Sequence, residues 1–334
     1  MKKILVAIAF LATTMMVQAQ FYVSASGGYA WGVPSIKIGE ENIKGNQKVN
    51  FGTYGEGFNT QLRLGYFFNK TWGVDISGGY LHGADQSVRK EVATKNLANT
   101  PLTATVNGDV KARGRAYGLA LSVIYNFTDN FYGRFGILTK VGGKTEAIAY
   151  STTVTDQDIP LAALASLGAE LPSSLATNIA NLLANGYTHI QKGAKIETSY
   201  TEDFKGKMPF GTIAALGYKY NFSPKVAIFA EVEYMNISVK RDYSQLQHFE
   251  QTLESIFINP ANASLPAYSI TMPYKKLSEF TDGVYRDALR DQTYLARTTY
   301  VDELPASNTD ITKKITEKVS YSSLGINVGI TYTF

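Results

Sequence analysis

The chain has 334 residues, 45% hydrophobic and only 18% charged, so neither intrinsic disorder nor long apolar membrane helices describe most of it. It has no cysteine, which excludes disulfide frameworks, thiolate metal sites and cysteine nucleophiles, and its three histidines, His82, His189 and His248, are far apart, so neither a metal nor another cofactor is called for. The formal charge is +4, but without Lys2 and Lys3 the 32 basic residues become 30 against 28 acidic, a balance of +2 that gives no argument for nucleic acid.

The first element is an export signal over residues 1–19. Lys2 and Lys3 form a positive start, Ile4 to Leu11 an apolar stretch, and Val17-Gln18-Ala19 a small-residue cleavage site, so the mature chain is expected to be 20–334. No cysteine follows to take a lipid anchor, and no later run reaches eighteen apolar residues. A periplasmic, secreted or outer-membrane product remains.

Period-two alternation then recurs along the chain. In 57–68, Phe58, Leu62, Leu64, Tyr66 and Phe68 face one way and Asn59, Gln61, Arg63 and Gly65 the other. In 114–127, Tyr117, Leu119, Leu121, Val123, Tyr125 and Phe127 oppose Gly118, Ala120, Ser122 and Asn126. In 319–334, Leu324, Ile326, Val328, Ile330, Tyr332 and Phe334 oppose Ser323, Gly325, Asn327, Gly329, Thr331 and Thr333. Strands are expected at 21–32, 57–68, 72–82, 114–127, 131–143, 209–222, 225–239 and 319–334.

Three short connections repeat one composition: Tyr66 to Trp72, Tyr125 to Phe131 and Tyr220 to Val226 each place aromatics against a polar turn. Tyr66, Phe68, Trp72, Tyr125, Phe127, Phe131, Tyr220 and Phe222 therefore read as an aromatic girdle on the periplasmic side of a membrane. The fold class predicted is all-β: an eight-stranded antiparallel transmembrane up-and-down β-barrel with long extracellular loops carrying short helices. A soluble lipocalin-like barrel would also alternate, but it leaves the girdle and the terminal Phe334 unexplained.

The charged residues at inward positions, Arg63, Asp75, Arg134, Lys219, Glu231 and Glu233, would form a network in the lumen, because charges facing lipid cost several kcal/mol. Eight strands leave an interior that side chains nearly fill. A closed lumen is expected, with a narrow porin for small solutes as the alternative.

The long connections are 33–56, 83–113, 144–208 and 240–318, and they hold more than half of the mature chain. In the third, Leu161, Leu164, Leu167, Leu171, Leu175, Ile179, Leu182 and Leu183 predict two short amphipathic helices, interrupted at Pro172 and capped by Gly186. Two more helices are expected in the fourth, over Ser244 to Ile258 and from Lys276 to about Thr298. Ala147 to Val154 and Ile196 to Thr201 alternate well enough to extend strands beyond the bilayer as a stalk.

The signal ending in Gln-Ala-Gln, the first strand Phe21 to Tyr29 and the C-terminal Tyr332-Thr333-Phe334 resemble the small outer-membrane β-barrel proteins of the Bacteroidetes type, akin in architecture to OmpA and OmpX barrels. The resemblance covers the strands and the terminus but not the loops. It implies localisation in the cell outer membrane, lipid as surroundings, and Tyr332 and Phe334 as the assembly signal read by the barrel-assembly machinery. The long projecting loops, apart from the resemblance, suit a structural or surface-interaction role, with a host or envelope protein as the expected partner. No peptidoglycan-binding segment follows Phe334 in this sequence, which departs from the full OmpA pattern. Some such barrels modify lipid A, and His82, Asp85 and Ser87 stand together at a strand end, but they reproduce no family motif and a non-enzymatic protein is expected. Gly27-Gly28 reads as a close-packing site rather than a nucleotide loop.

Overall fold

The alternating segments become strands that close on themselves. The computed structural model describes residues 20–97, 102–165, 173–287 and 292–334; the expected signal, 1–19, and Pro172 lie outside the described residues. Eight long strands run as β1 (Gln20–Gly32), β2 (Gly57–Phe67), β3 (Trp72–Gly83), β4 (Thr103–Asn126), β5 (Phe131–Thr155), β6 (Phe210–Asn221), β7 (Val226–Asn236) and β8 (Ser323–Thr333). Each is antiparallel to the next, and β8 pairs back onto β1 from Tyr22 opposite Thr333 to Gly32 opposite Ser323. The pairings thus form a ring, which leaves these strands no open edge within its height. At the seam, Gly28 lies so close to the Ile326 carbonyl and Asn327 that a Cβ there would clash, so the close-packing expectation holds at that position.

Three tight turns join the strands at one end, and one device builds all of them. Asn69 Oδ1 accepts from the Thr71 and Trp72 amides at 2.8 Å each. Thr128 Oγ1 accepts from Asn130 at 3.3 Å and Phe131 at 2.9 Å, and Ser223 Oγ from Lys225 at 3.2 Å and Val226 at 3.0 Å. The short polar side chain thereby satisfies the amides that the reversal strips of ladder partners. At the same end, the Phe334 amide donates to the Phe21 carbonyl at 3.0 Å.

At the other end the sheet continues, and here several expectations change. The eight expected strands account for the ring only; the main sheet holds nineteen strands among the described residues. β4 and β5 run 24 and 25 residues, well past the expected 114–127 and 131–143. Gln86–Asn96 pairs with the upper part of β4, Lys195–Gly206 with the upper part of β5, and Ser238–Ile258 with Lys195–Gly206. The segments Ala147 to Val154 and Ile196 to Thr201 do extend strands beyond the ring, as expected.

The helix expected over Ser244 to Ile258 is instead part of strand Ser238–Ile258. Its register slips at Thr201/Glu202, where Thr201 pairs with His248 and Glu202 with Leu246. The extra residue reverses the parity, so Leu246 is buried on one side of the slip and Phe249, Leu253 and Phe257 on the other. Spacings of three, four and four in the sequence therefore mimic a helix. The helix expected from Lys276 to about Thr298 is a 3-10 turn at Leu277–Glu279, a hairpin of Val284–Asp287 with Gln292–Leu295, and strand Arg297–Val301. Between the last two the chain is pulled into sheet by cross-strand partners, which outweigh its local apolar spacing.

The two helices of the third connection are present as α1 (Leu161–Ala165) and α2 (Ser173–Ala184). Gly186, at φ +86°, follows α2, and the Tyr187 amide closes the cap on the Leu182 carbonyl at 3.0 Å. Both helices bury Leu161, Leu164, Ile179 and Leu182 against Phe249 and Phe257, giving this upper part, the head, a core of its own. Within that core Gln251 donates to Thr198 Oγ1 at 3.2 Å and Asp287 Oδ2 at 3.0 Å, and accepts from Tyr285 at 2.9 Å.

Inside the ring, Tyr22 lies across Gly65, its register partner, and Tyr132 across Gly217. A Cβ on Gly65 would stand 2.2 Å from the Tyr22 ring, whereas one on Gly78 would meet only a Leu119 methyl at 3.7 Å. Gly65→Ala is expected to lower the unfolding free energy by about 1–3 kcal/mol and Asn69→Ala by about 1 kcal/mol, while Gly78→Ala costs nothing. Urea titration of the protein refolded in lipid vesicles measures all three.

Candidate functional site

The ring's interior gathers the charges that the sequence places at inward positions. Arg63 on β2 makes a two-pronged contact with Glu231 on β7, one arm at 2.9 Å and the other shorter. It also donates to Gln61 Oε1 at 2.9 Å, and Gln61 Nε2 donates to Glu233 at 2.6 Å. Arg134 on β5 donates to Glu233, lies 3.6 Å from Glu231 and reaches Asp75 on β3 at 3.9 Å. All five charged groups are buried. Strands that are not neighbours in the ring are thereby tied across the lumen, in the low-dielectric setting where partial pairing is costly.

Two tyrosines complete the network. Tyr22 donates to Asp75 Oδ2 at 2.9 Å, and Tyr132 donates to Glu231 Oε2 at 2.9 Å. Neither was anticipated, although both occupy inward positions of their strands; their alternation with Phe21 and Phe131 was the available signal. Lys219 was expected in the network and is not joined to it. Its amine lies 5.7 Å from the centre of the Phe67 ring, and it makes no ion pair among the described residues. The Arg63 guanidinium also lies over Phe229, at 5.3 Å.

Apolar layers stand on either side of the charges. Towards the turns, Tyr22, Ile124, Tyr132 and Phe229 pack together with Phe67. Towards the head, Leu81, Ala116, Ala120, Leu138 and Ile213 are closed over by Ile237, Val239 and Tyr321. The spaces left are about 90 Å³ on the head side and about 80 Å³ on the turn side. Each has room for a few waters, at about 30 Å³ apiece in the liquid.

The outside of the ring is apolar and exposed, with Phe58, Leu62, Leu64, Leu121, Phe135, Ile137, Val328 and Ile330 all more than half exposed. The girdle residues touch one another in series. Trp72 meets Tyr125 with ring centres 4.7 Å apart, Tyr125 meets Phe127 at 5.1 Å and Phe127 meets Phe131 at 5.7 Å. Phe21, Tyr66 and Phe68 form a second series, and Tyr220 with Phe222 and Tyr332 with Phe334 are further pairs. A second row, at the head end, was missed in the sequence. Phe21/Tyr29, Phe58/Tyr66, Trp72/Tyr80, Tyr117/Tyr125 and Phe210/Tyr218 are outward aromatic pairs, each eight residues apart.

His82, Asp85 and Ser87 are not brought into a catalytic arrangement. His82 Nδ1 lies 3.5 Å from the Tyr80 hydroxyl, and Asp85 faces Arg113 at 3.5 Å. No bond joins His82 to Asp85 or Ser87 among the described residues.

No family model and no curated protein matches the chain. Among solved structures it is similar to the outer membrane protein OprG from Pseudomonas aeruginosa, at 12% identity over 95% of this chain and 96% of that one, with a TM-score of 0.32. It is also similar to a major outer membrane protein from Thermus thermophilus (11% identity, 95% and 99% covered, TM-score 0.26) and to Ail, the attachment invasion locus protein of Yersinia pestis (10%, 95% and 97%, TM-score 0.24).

Removing one member of the lumen network leaves its partner charged and buried. Arg63→Met is expected to destabilise by about 3–5 kcal/mol, and the double variant Arg63→Met/Glu231→Met to recover most of that loss. Urea unfolding of the four-member cycle measures it; a loss in the double variant equal to the sum of the two single losses would mean that the pair is not coupled.

Proposed function

We propose that the ring is an eight-stranded β-barrel of the bacterial outer membrane, with its short turns in the periplasm and its head outside the cell. The observation that carries this reading is the band between the two aromatic rows. Eight residues span about 27 Å along a strand, or about 21 Å at a tilt near 40°, close to the roughly 25 Å apolar band of such barrels. Within it the outward positions of all eight strands are free of charged residues, while Arg63, Asp75, Arg134, Lys219, Glu231 and Glu233 sit at inward ones. A soluble barrel has no cause to sort its residues that way.

The buried network and the apolar layers support a closed lumen over a narrow porin. Function then falls to the head, and we infer a structural or surface-interaction role, with an envelope or host protein as partner. Tyr332 and Phe334, paired at the turn end of the closing strand, suit the assembly signal that the terminal sequence resembles.

Two measurements test the reading. Leu121→Arg, at the middle of the band, is expected to cost about 2–4 kcal/mol in a bilayer, whereas Tyr150→Arg, exposed on the head strand above, is expected to change stability by less than about 0.5 kcal/mol. Equal costs would remove the membrane assignment. Folded protein in a planar bilayer is expected to pass no steady current, and reproducible large conductance would restore the porin reading.

A further inference from the structure

Two cavities lie in the head, beyond the apolar layer that closes the lumen. One, of about 570 Å³, is a chamber against the inward face of Gln86–Asn96, upper β4, upper β5 and Lys195–Gly206, with Gln292–Leu295 across it. The other, of about 710 Å³, is a cleft between Ile36–Ile43, residues 88–91 and residues 317–319. Arg89 and Glu91 line both, so the cleft adjoins the chamber. The chamber's volume falls in the range of about 300–1,000 Å³ usual for small-molecule sites.

Its lining is uneven in a way that specifies a ligand. Gly108, Ala149 and Ser151 keep the floor low, and Tyr200 and Tyr294 form an aromatic wall, their ring centres 5.9 Å apart and edge to face. Arg89 and Lys95 are both committed to Glu91, at 2.8 and 2.6 Å. Glu202 and Lys314 also line the chamber, and neither belongs to an ion pair among the described residues. Burial pushes the Glu202 carboxyl up, against the pull of the Ser244 hydroxyl, Lys314 and Arg241. In the same wall Thr153 is 2% exposed, and its hydroxyl has no hydrogen-bond partner.

We propose that the chamber binds a small zwitterion with an apolar side chain, of the amino-acid or short-peptide class, its ammonium at Glu202 and its carboxylate at Lys314. The ligand's side chain packs on Tyr200 and Tyr294. An anion alone would face the Glu202 carboxylate and a cation alone the Lys314 ammonium, whereas a zwitterion meets the half-buried Glu202 and the exposed Lys314 each with the opposite charge. The chamber lies outside the ring, so this inference stands or falls independently of the membrane assignment.

The experiment is calorimetric titration of the full chain in detergent micelles with leucyl-leucine, with its N-acetylated form and with its C-terminal amide. Leucyl-leucine is expected to bind one to one, and each blocked form at least about tenfold more weakly, since each loses a hydrogen-bonded charge. Glu202→Gln is expected to abolish discrimination against the acetylated form alone, and Lys314→Gln against the amide alone. The three ligands on the unaltered chain decide the matter even if a variant misfolds. No binding of leucyl-leucine, equal binding of all three ligands, or discrimination unchanged in folded variants would overturn the proposal.

Discussion

The structure turns on one constraint: every charged side chain on the ring strands within the apolar band points inward, where Arg63, Arg134, Asp75, Glu231 and Glu233 meet opposite charges and Lys219 lies over Phe67. The lumen is too narrow for bulk water, so Arg63 and Arg134 are surrounded by Glu231, Glu233 and Asp75, with Gln61, Tyr22 and Tyr132 supplying further hydrogen bonds. The pairing partners come from strands on different sides of the ring, so the network cross-links the barrel through its centre. Glycines at 65 and 217 are part of the same solution, because only a missing side chain lets the tyrosine rings lie flat enough to present their hydroxyls to the acids. An uncharged core would hold the ring equally well; what the ions add is a preference for one register, since a one-residue slip would turn each of them onto the ring's apolar outer face.

Much of this was legible in the sequence because a strand between two different environments writes its parity directly. The ring strands, the outward aromatics beside the turns and the inward positions of the six charges could be read from alternation, and Lys219 shows where that reading stops. Parity states that a side chain points inward but not what it meets: Arg63 and Glu231 are 168 residues apart, and only the strand order brings them together. The head was less legible for a related reason. The register slip beside Leu246 changes the parity within one strand, and Phe249, Leu253 and Phe257 then fall at helical spacing although they share a sheet face. The helix reading succeeded at Leu161–Ala165 and Ser173–Ala184, which pack on the sheet without pairing in it, while Leu167 and Leu171 lie outside the described residues.

The ring and the head are mechanically one piece. β4 and β5 pass without interruption from the turn end into the head, and only Ile237 separates β7 from Ser238–Ile258. A load or a bound partner on the head is therefore transmitted along hydrogen-bonded strands rather than through a flexible linker. The expectation of loops with a few helices understated this, since most of the chain beyond the ring is paired backbone with its own buried core.

This continuity also separates capture from passage. The chamber and the adjoining cleft lie in the head, while Leu81, Leu138, Ile213 and Tyr321 lie between them and the lumen charges. A ligand going from the chamber into the barrel would have to displace that apolar layer and then break ion pairs that have no water to receive them. Each step is costly, and the strands that carry the layer are the same ones that hold the ring closed. A small molecule held in the head is therefore placed to alter the outer surface, through the Gln292–Leu295 segment across the chamber and the Ile36–Ile43 strand beside the cleft, without any change in the lumen.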